Sequence, residues 1–236
     1  LDATATLVAT LEQMSKAYIL DAFRNLIASG SAKIVKVSEA GDVLMGRQRS
    51  PRYDKGIAPR PYLRVANVYD GYIDTSDVKQ MDFDEVEFER YRLVSGDVLL
   101  NEGQSRELVG RSAIFRDEVS DCCFQNTLIR FRPYRVSSEY AQAYFRYCLY
   151  TGRFAGIAKQ TTSIAHLGVG RFAEMPFPMV PDQAQTEITN TIDTFSGSLK
   201  CTNKRLAGLR ELQQQLLPNW TSVEHIGAHA LIQTVG

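Results

Sequence analysis

The chain has little with which to build a covalent or metal-held scaffold. It holds four cysteines in 236 residues, two adjacent (Cys122 and Cys123) and two alone (Cys148 and Cys201). No Cys-x-x-Cys occurs, so the usual zinc spacing is missing and reduced thiols are expected. His225 and His229 have i, i+4 spacing, but no further ligand lies near them in the sequence, and no metal is expected. Long apolar runs are missing too: none approaches the roughly 18 residues of a membrane helix. The start, LDATATLVATLEQMSKAYIL, lacks the basic leader of a signal peptide. A cytoplasmic protein with no membrane partner is the expectation.

Catalytic signatures are absent as well. There is no Gly-x-x-x-x-Gly-Lys-Ser/Thr phosphate loop, no Gly-x-Ser-x-Gly elbow and no Gly-x-Gly-x-x-Gly cofactor turn. The Asn/Asp-Pro-Pro-Tyr/Phe tetrad of methyltransferases is also missing. No cofactor is expected, and the chain is not read as an enzyme. One alternative is a metal-dependent nuclease using Asp97 and Glu102. Against it, Asp97 follows Gly96 at a turn entering an apolar strand, where Asp commonly serves the backbone. His166 has no nucleophile or base beside it in the sequence, and hydrogen bonding is its expected role.

Net charge is zero, with 27 basic and 27 acidic residues, yet the charges are segregated. Between residues 70 and 89, Asp70, Asp74, Asp77, Asp82, Asp84, Glu85, Glu87 and Glu89 stand against Lys79 alone. Between 130 and 171, Arg130, Arg132, Arg135, Arg146, Arg153, Lys159 and Arg171 stand against Glu139. Such segregation lets one surface face an anion although the total is zero.

What is present has a clear order. Leu7, Leu11, Met14 and Tyr18 step by four, three and four, which predicts a first long helix ending near Gly30. Ile188, Ile192, Phe195 and Leu199, then Leu206, Leu209 and Leu216, predict a second from about Thr186 to Leu217, ahead of Pro218. Thr202 and Gln213 interrupt its seam, and Gly197 and Gly208 suggest close helix contact. The two helices are expected to lie antiparallel, with Leu7, Leu11 and Met14 facing Leu206, Leu209 and Leu216.

Between them the texture changes to short β-type runs: YLRVANV (62–68), DVLLNE (97–102), SAIF (112–115) and NTLIRFRP (126–133). SSEYAQAYFRYCLYTG (137–152) reads as a helix capped by Ser137 or Ser138, with Tyr140, Tyr144, Phe145 and Leu149 buried. The fold class is therefore α+β: a helix over 1–30, a globular domain with a twisted mixed sheet over 31–183, a long helix over 184–220 and a tail over 221–236.

Four loops of the middle domain are rich in side chains that contact phosphates and base edges. GRQRSPRYDKG supplies Arg47, Gln48, Arg49, Ser50, Arg52 and Lys55, and NEGQSRELVG supplies Asn101, Glu102, Gln104, Ser105 and Arg106. FQN adds Gln125 and Asn126, while KQTTSIAH adds Lys159, Gln160, Thr161, Thr162 and His166. Guanidinium groups bind phosphate or fork onto guanine, and Gln or Asn pairs with adenine. Each loop alone is an ordinary solvated turn. Four on one domain suit a recognition surface better than an active site. A coiled-coil protein-interaction module that binds no DNA is the other alternative.

The ordered series PYLRVANV, YRLVSGDVLLNEG, VGRSAIF, FQNTLIRFRP and TTSIAHLGVGRFAEMPFPMVP resembles the specificity subunits of type I restriction–modification systems over about residues 18–217. ILDAFRNLIASG and LRELQQQLLPNW look like the ends of that family's conserved helical regions. The family's Pro-Leu-x-Glu-Gln helix entry is PDQAQTEI here, with Ala184 in place of Glu. The resemblance implies a non-catalytic subunit that binds double-stranded DNA and holds methyltransferase subunits, and optionally a restriction subunit, on its helices. The usual member has two recognition domains, each reading half of a split site. This sequence shows one, which implies either a half-subunit that pairs as a homodimer or part of a longer subunit.

Overall fold

The computed structural model describes residues 2–50, 55–161 and 163–232, with side chains over 3–50, 55–161 and 163–215. Arg52, Thr162 and the side chains of Leu216, His225 and His229 lie outside the described residues. By its contacts the chain divides into two units, one of residues 1–17 and 192–236 and one of residues 18–191.

Helix α1 (Asp2–Ala28) stops where Gly30 takes a left-handed φ of 68°. Strand β1 (Lys33–Lys36), the short helix α2 (Val37–Ala40) and β2 (Gly41–Met45) follow. Next come β3 (Pro59–Leu63), β4 (Lys79–Asp82) and α3 (Glu85–Tyr91). The start of α3 is a capping box, in which Asp84 accepts from the Glu87 amide at 2.8 Å and Glu87 from the Asp84 amide at 3.2 Å. The apolar runs form β5 (Val98–Asn101), β6 (Gly103–Gln104), β7 (Ser112–Ile114), β8 (Cys123–Phe124) and β9 (Leu128–Pro133).

Helix α4 (Ser138–Tyr150) is capped by Ser137, whose hydroxyl accepts from the Tyr140 amide at 3.2 Å. After α5 (Arg153–Ile157) come β10 (Lys159–Gln160), β11 (Ala165–His166), α6 (Val169–Ala173) and β12 (Pro176–Met179). The last element, α7 (Asp182–Ile232), runs past Pro218 instead of ending before it. Proline removes one bond of the helical ladder there, and the backbone stays helical on both sides.

The unit of residues 18–191 is built on an antiparallel sheet of order β2-β9-β5-β7 and a smaller sheet of order β4-β3-β8. Strands β5, β7 and β9 are buried nearly throughout, which explains their continuous apolar runs. Helix α4 lays Phe145 against Phe131 of β9, edge to face at 5.2 Å. Its tyrosines surround Phe23 of α1, with ring centroids 5.4 to 5.6 Å away. The buried hydroxyls of Tyr140 and Tyr144 donate to the carbonyls of Pro178 and Pro176 on β12 at 2.8 and 2.7 Å, so aromatic burial leaves neither hydroxyl stranded. Gln185, buried at the start of α7, accepts from the Ser137 amide at 2.9 Å and donates to the Val180 carbonyl at 3.1 Å. That ties the helix entry to the cap of α4 beside the position where Ala184 replaces Glu.

In the unit of residues 1–17 and 192–236, the second helix has one covered stripe. Ile192, Phe195, Leu199, Thr202, Leu206 and Leu209 are buried or half-buried, and Ile188 and Tyr18 continue the pattern in the other unit. Thr202 is accommodated because its hydroxyl donates to the Ser198 carbonyl at 2.8 Å. Gln213 is exposed, and among the described residues nothing beyond the adjoining turns of the same helix lies within 4 Å of where a side chain at Gly197 or Gly208 would begin, so these glycines mark no close approach there.

On α1 the expected register needs correction. Leu7 and Met14 are 49% and 50% exposed, and the covered stripe runs through Thr4, Val8, Leu11 and Ser15. That stripe steps by four, three and four, displaced from the larger side chains, and only Leu11 belongs to both.

The cysteines are free. Burial pushes the thiols of Cys122, Cys123 and Cys148 up to about 12, which makes them inert packing groups. Among the described residues no helix is long and apolar enough to cross a membrane.

Candidate nucleic-acid interface

Residues 124–127 link the four polar loops through the backbone. The Arg47 amide donates to the Phe124 carbonyl at 3.0 Å, and the Asn126 amide returns to that of Arg47 at 3.0 Å. The Gln125 amide donates to Leu63 at 2.9 Å, holding this segment to β3. On the other side the Glu102 amide donates to Thr127 at 2.9 Å, and the Leu167 amide to Glu102 at 2.8 Å. Strands β10, β11 and β6 complete a small antiparallel ribbon that pairs Lys159 with His166 and Ala165 with Gln104. Loops far apart in sequence thus lie side by side.

Side chains on this platform fall into three groups. Gln48, Arg49, Lys55, Arg106, Lys159, Gln160 and Thr161 are exposed, and Ser50, Gln104, Ser105, Gln125, Asn126 and His166 are half-buried. Arg47, Asn101 and Glu102 are buried. Arg47 is the clearest departure from the expectation of a group at a groove edge. Its guanidinium pairs with Glu87 at 2.5 Å, donates to the Asp82 carbonyl and lies over the Phe83 ring at 4.6 Å. It fastens the loop to α3 and β4. Asn101 donates to the Val68 carbonyl at 3.3 Å, and Glu102 pairs with His166 at 3.0 Å.

Asp97 is fully buried, held by Arg132 at 2.7 and 2.8 Å while accepting from the Val94 amide at 2.9 Å. It closes a turn and neutralises an arginine. Asp97 and Glu102 therefore have separate partners, and among the described residues no group of three or more His, Cys, Asp or Glu could hold a metal ion.

A cleft of about 600 Å³ opens between the smaller sheet and the first loop, lined by Arg49, Tyr62, Arg64, Lys79, Gln80 and Gln125 among others. Arg64, Lys79 and Gln80 do not stand out in the sequence. Strand pairing sets Tyr62 opposite Lys79 and Pro61 opposite Gln80. Asp77 bridges Arg64 at 2.5 Å and Lys79 at 2.7 Å, and the hydrogen bond from Lys79 holds its carboxyl below the usual range. Asp82 accepts from the Lys55 and Ala58 amides at 2.8 and 2.9 Å, which fixes the far side of the loop.

The basic run after residue 130 contributes less than its charge suggests. Arg130 is buried and paired with Asp42, Arg132 with Asp97, and Arg146 with Asp70 at 2.8 Å. Those cations hold the sheet and α4 together instead of facing outward.

The profile of the type I restriction modification DNA specificity domain matches residues 32–211. The chain belongs to this family. The match covers the sheet platform, the loops and the first part of α7, and the family's role is DNA specificity, not catalysis. A specificity-subunit relative in sequence is a Methanocaldococcus jannaschii protein that carries the name of a putative type I restriction enzyme specificity subunit. It is 22% identical over 160 residues, or 66% of this chain and 38% of the relative. The specificity domain is also similar in fold to the HsdS subunit of Thermoanaerobacter tengcongensis, with a TM-score of 0.57 and 16% identity, over 92% of this chain and 52% of that one. The type I S subunit of M. genitalium gives 0.58 and 14%, over 92% and 55%. The chain thus spans about half the length of these solved specificity subunits and less of the sequence relative.

Proposed function

We propose that residues 31–183 read one half of a split double-stranded DNA target, and that the two long helices hold methyltransferase subunits and, through the assembled complex, a restriction subunit. The observation that carries this reading is the backbone-linked platform of four polar loops beside a cleft rich in cations. Exposed Arg49, Lys55, Arg106 and Lys159 supply affinity through phosphates, while Gln48, Gln104, Gln125, Asn126 and Gln160 supply selectivity at base edges. Arg47 serves as an anchor beneath them. For the helices, the support is the exposed Leu7 and Met14 on α1 and Leu212 on α7, apolar groups suited to a protein partner.

The test is enrichment of duplexes with a randomised centre by the chain purified with its methyltransferase subunits. A defined motif is expected. Two copies of the chain related by a two-fold axis would present identical domains and enrich a palindrome with a fixed spacer. A motif without symmetry removes that self-paired homodimer and keeps the single-domain reading. No motif at all removes the function.

Asp77 neutralises two cations at the cleft, and its replacement should show whether DNA runs there. Asp77→Asn should strengthen binding to any duplex several-fold at low salt. It should also steepen the slope of log K against log salt by about 0.9 for each additional phosphate that the released cations neutralise. Fluorescence anisotropy at several salt concentrations measures both. An unchanged slope would place the cleft outside the DNA path.

A further inference from the structure

Glu102 and His166 are 64 residues apart in sequence and meet at 3.0 Å between Oε2 and Nδ1. The Glu102 side chain is 11% exposed and that of His166 43%, so the carboxylate lies beneath the ring and the ring reaches the surface. An ionised carboxylate can only accept a hydrogen bond, which assigns the proton between them to Nδ1. In neutral imidazole the other nitrogen, Nε2, is then an acceptor. It has no hydrogen-bond partner among the described residues.

The surroundings hold this arrangement. His166 lies in β11 between Lys159 of β10 and Gly103 of β6, and Arg171 donates to its carbonyl at 2.7 Å. A side chain at position 103 would begin 3.4 Å from Cε1 and Nδ1, at van der Waals distance, so Gly103 lies directly against the ring. Exposed Lys159 and Gln160 are its neighbours on the ribbon.

We infer that His166, positioned by Glu102, is a specificity-determining residue that accepts a hydrogen bond from the exocyclic amine of one adenine or cytosine in the major groove. This rests on the DNA-recognition reading above. Adenine N6 and cytosine N4 are the donors exposed in that groove; guanine O6 and N7 and thymine O4 are acceptors, which face a lone pair on Nε2 unfavourably. Glu102 acts through His166, since a carboxylate can hold only the tautomer that donates toward it. Its amide counterpart can either donate or accept and releases that constraint.

Duplexes with a randomised centre test the inference, using the chain purified with its methyltransferase subunits and its His166→Ala and Glu102→Gln variants. His166→Ala should lose about tenfold of discrimination at a single position where the unaltered protein selects adenine or cytosine. The remaining motif and the salt slope should be retained. Glu102→Gln should widen the choice at that same position to include guanine or thymine. His166→Ala decides alone if Glu102→Gln does not fold. A motif from the unaltered protein that both folded variants reproduce in full overturns the inference and leaves DNA recognition standing. A loss spread equally over all positions also overturns it, and failure of the unaltered protein to enrich any motif overturns both.

Discussion

Replacing Asp97 with Ala is expected to lower the unfolding free energy by about 2–4 kcal/mol. The carboxylate is fully buried and has two tasks: it neutralises Arg132 through two hydrogen bonds and accepts the Val94 amide of the turn before β5. Removal leaves a cation on β9 without its partner and an amide without an acceptor. Breaking a fully buried pair costs more; Arg132 keeps partial access to water and recovers part of the loss. Urea unfolding of the chain measures the change through a shifted midpoint at constant m. A loss below about 1 kcal/mol would show that the turn holds without this pair. DNA cleavage that depends on magnesium and vanishes in a folded Asp97→Ala chain would instead restore the nuclease alternative.

The other large effect is on binding. Simultaneous Arg49→Ala, Arg64→Ala and Lys79→Ala should weaken duplex binding about a hundredfold near 0.15 M salt and reduce the salt slope by roughly 2.7, the value for three phosphates. Folding should survive, because the pairs of Arg64 and Lys79 with Asp77 lie at the surface and contribute at most about 1 kcal/mol each. Arg47→Ala provides the contrast: it should destabilise the fold through Glu87 and Phe83 and leave the slope per folded molecule unchanged. If the triple variant keeps its full slope, the cleft takes no part in DNA binding.

Local patterns are readable where one element decides its own structure. Ser137 before an amphipathic run marks the start of α4, and the apolar runs at 97–102, 112–115 and 126–133 become β5, β7 and β9. On α7, the residues from Ile192 to Leu209 that step by three and four are the covered positions. On α1 the same rule selects Leu7 and Met14, because it weighs size and hydrophobicity. The covered stripe there uses Thr4 and Ser15, whose small side chains suit a close seam but carry no hydrophobic pattern.

The candidate site is legible as a set of loops and not as an arrangement. A guanidinium in a glycine-bounded basic run looks solvated, and nothing near Arg47 in sequence announces Glu87 or Phe83. Arg64 and Lys79 are hidden for the opposite reason: Lys79 stands in an acidic stretch, and only the β3–β4 pairing brings both to one cleft. The Glu102–His166 contact likewise depends on β6 and β11 becoming neighbours.

The bonds that join the four loops run from amide to carbonyl, at Arg47, Asn126, Glu102 and Leu167. Such bonds are indifferent to which side chain a residue carries. Gln48, Arg49, Arg106 and Gln160 can therefore be exchanged for other residues while the platform keeps its shape. A library randomised at those outward positions, with Arg47, Asn101 and Glu102 kept, would be mostly folded and could be selected for new target sequences. In evolutionary terms, if these loops read DNA as proposed, drift at these positions changes which DNA is recognised long before it endangers the fold.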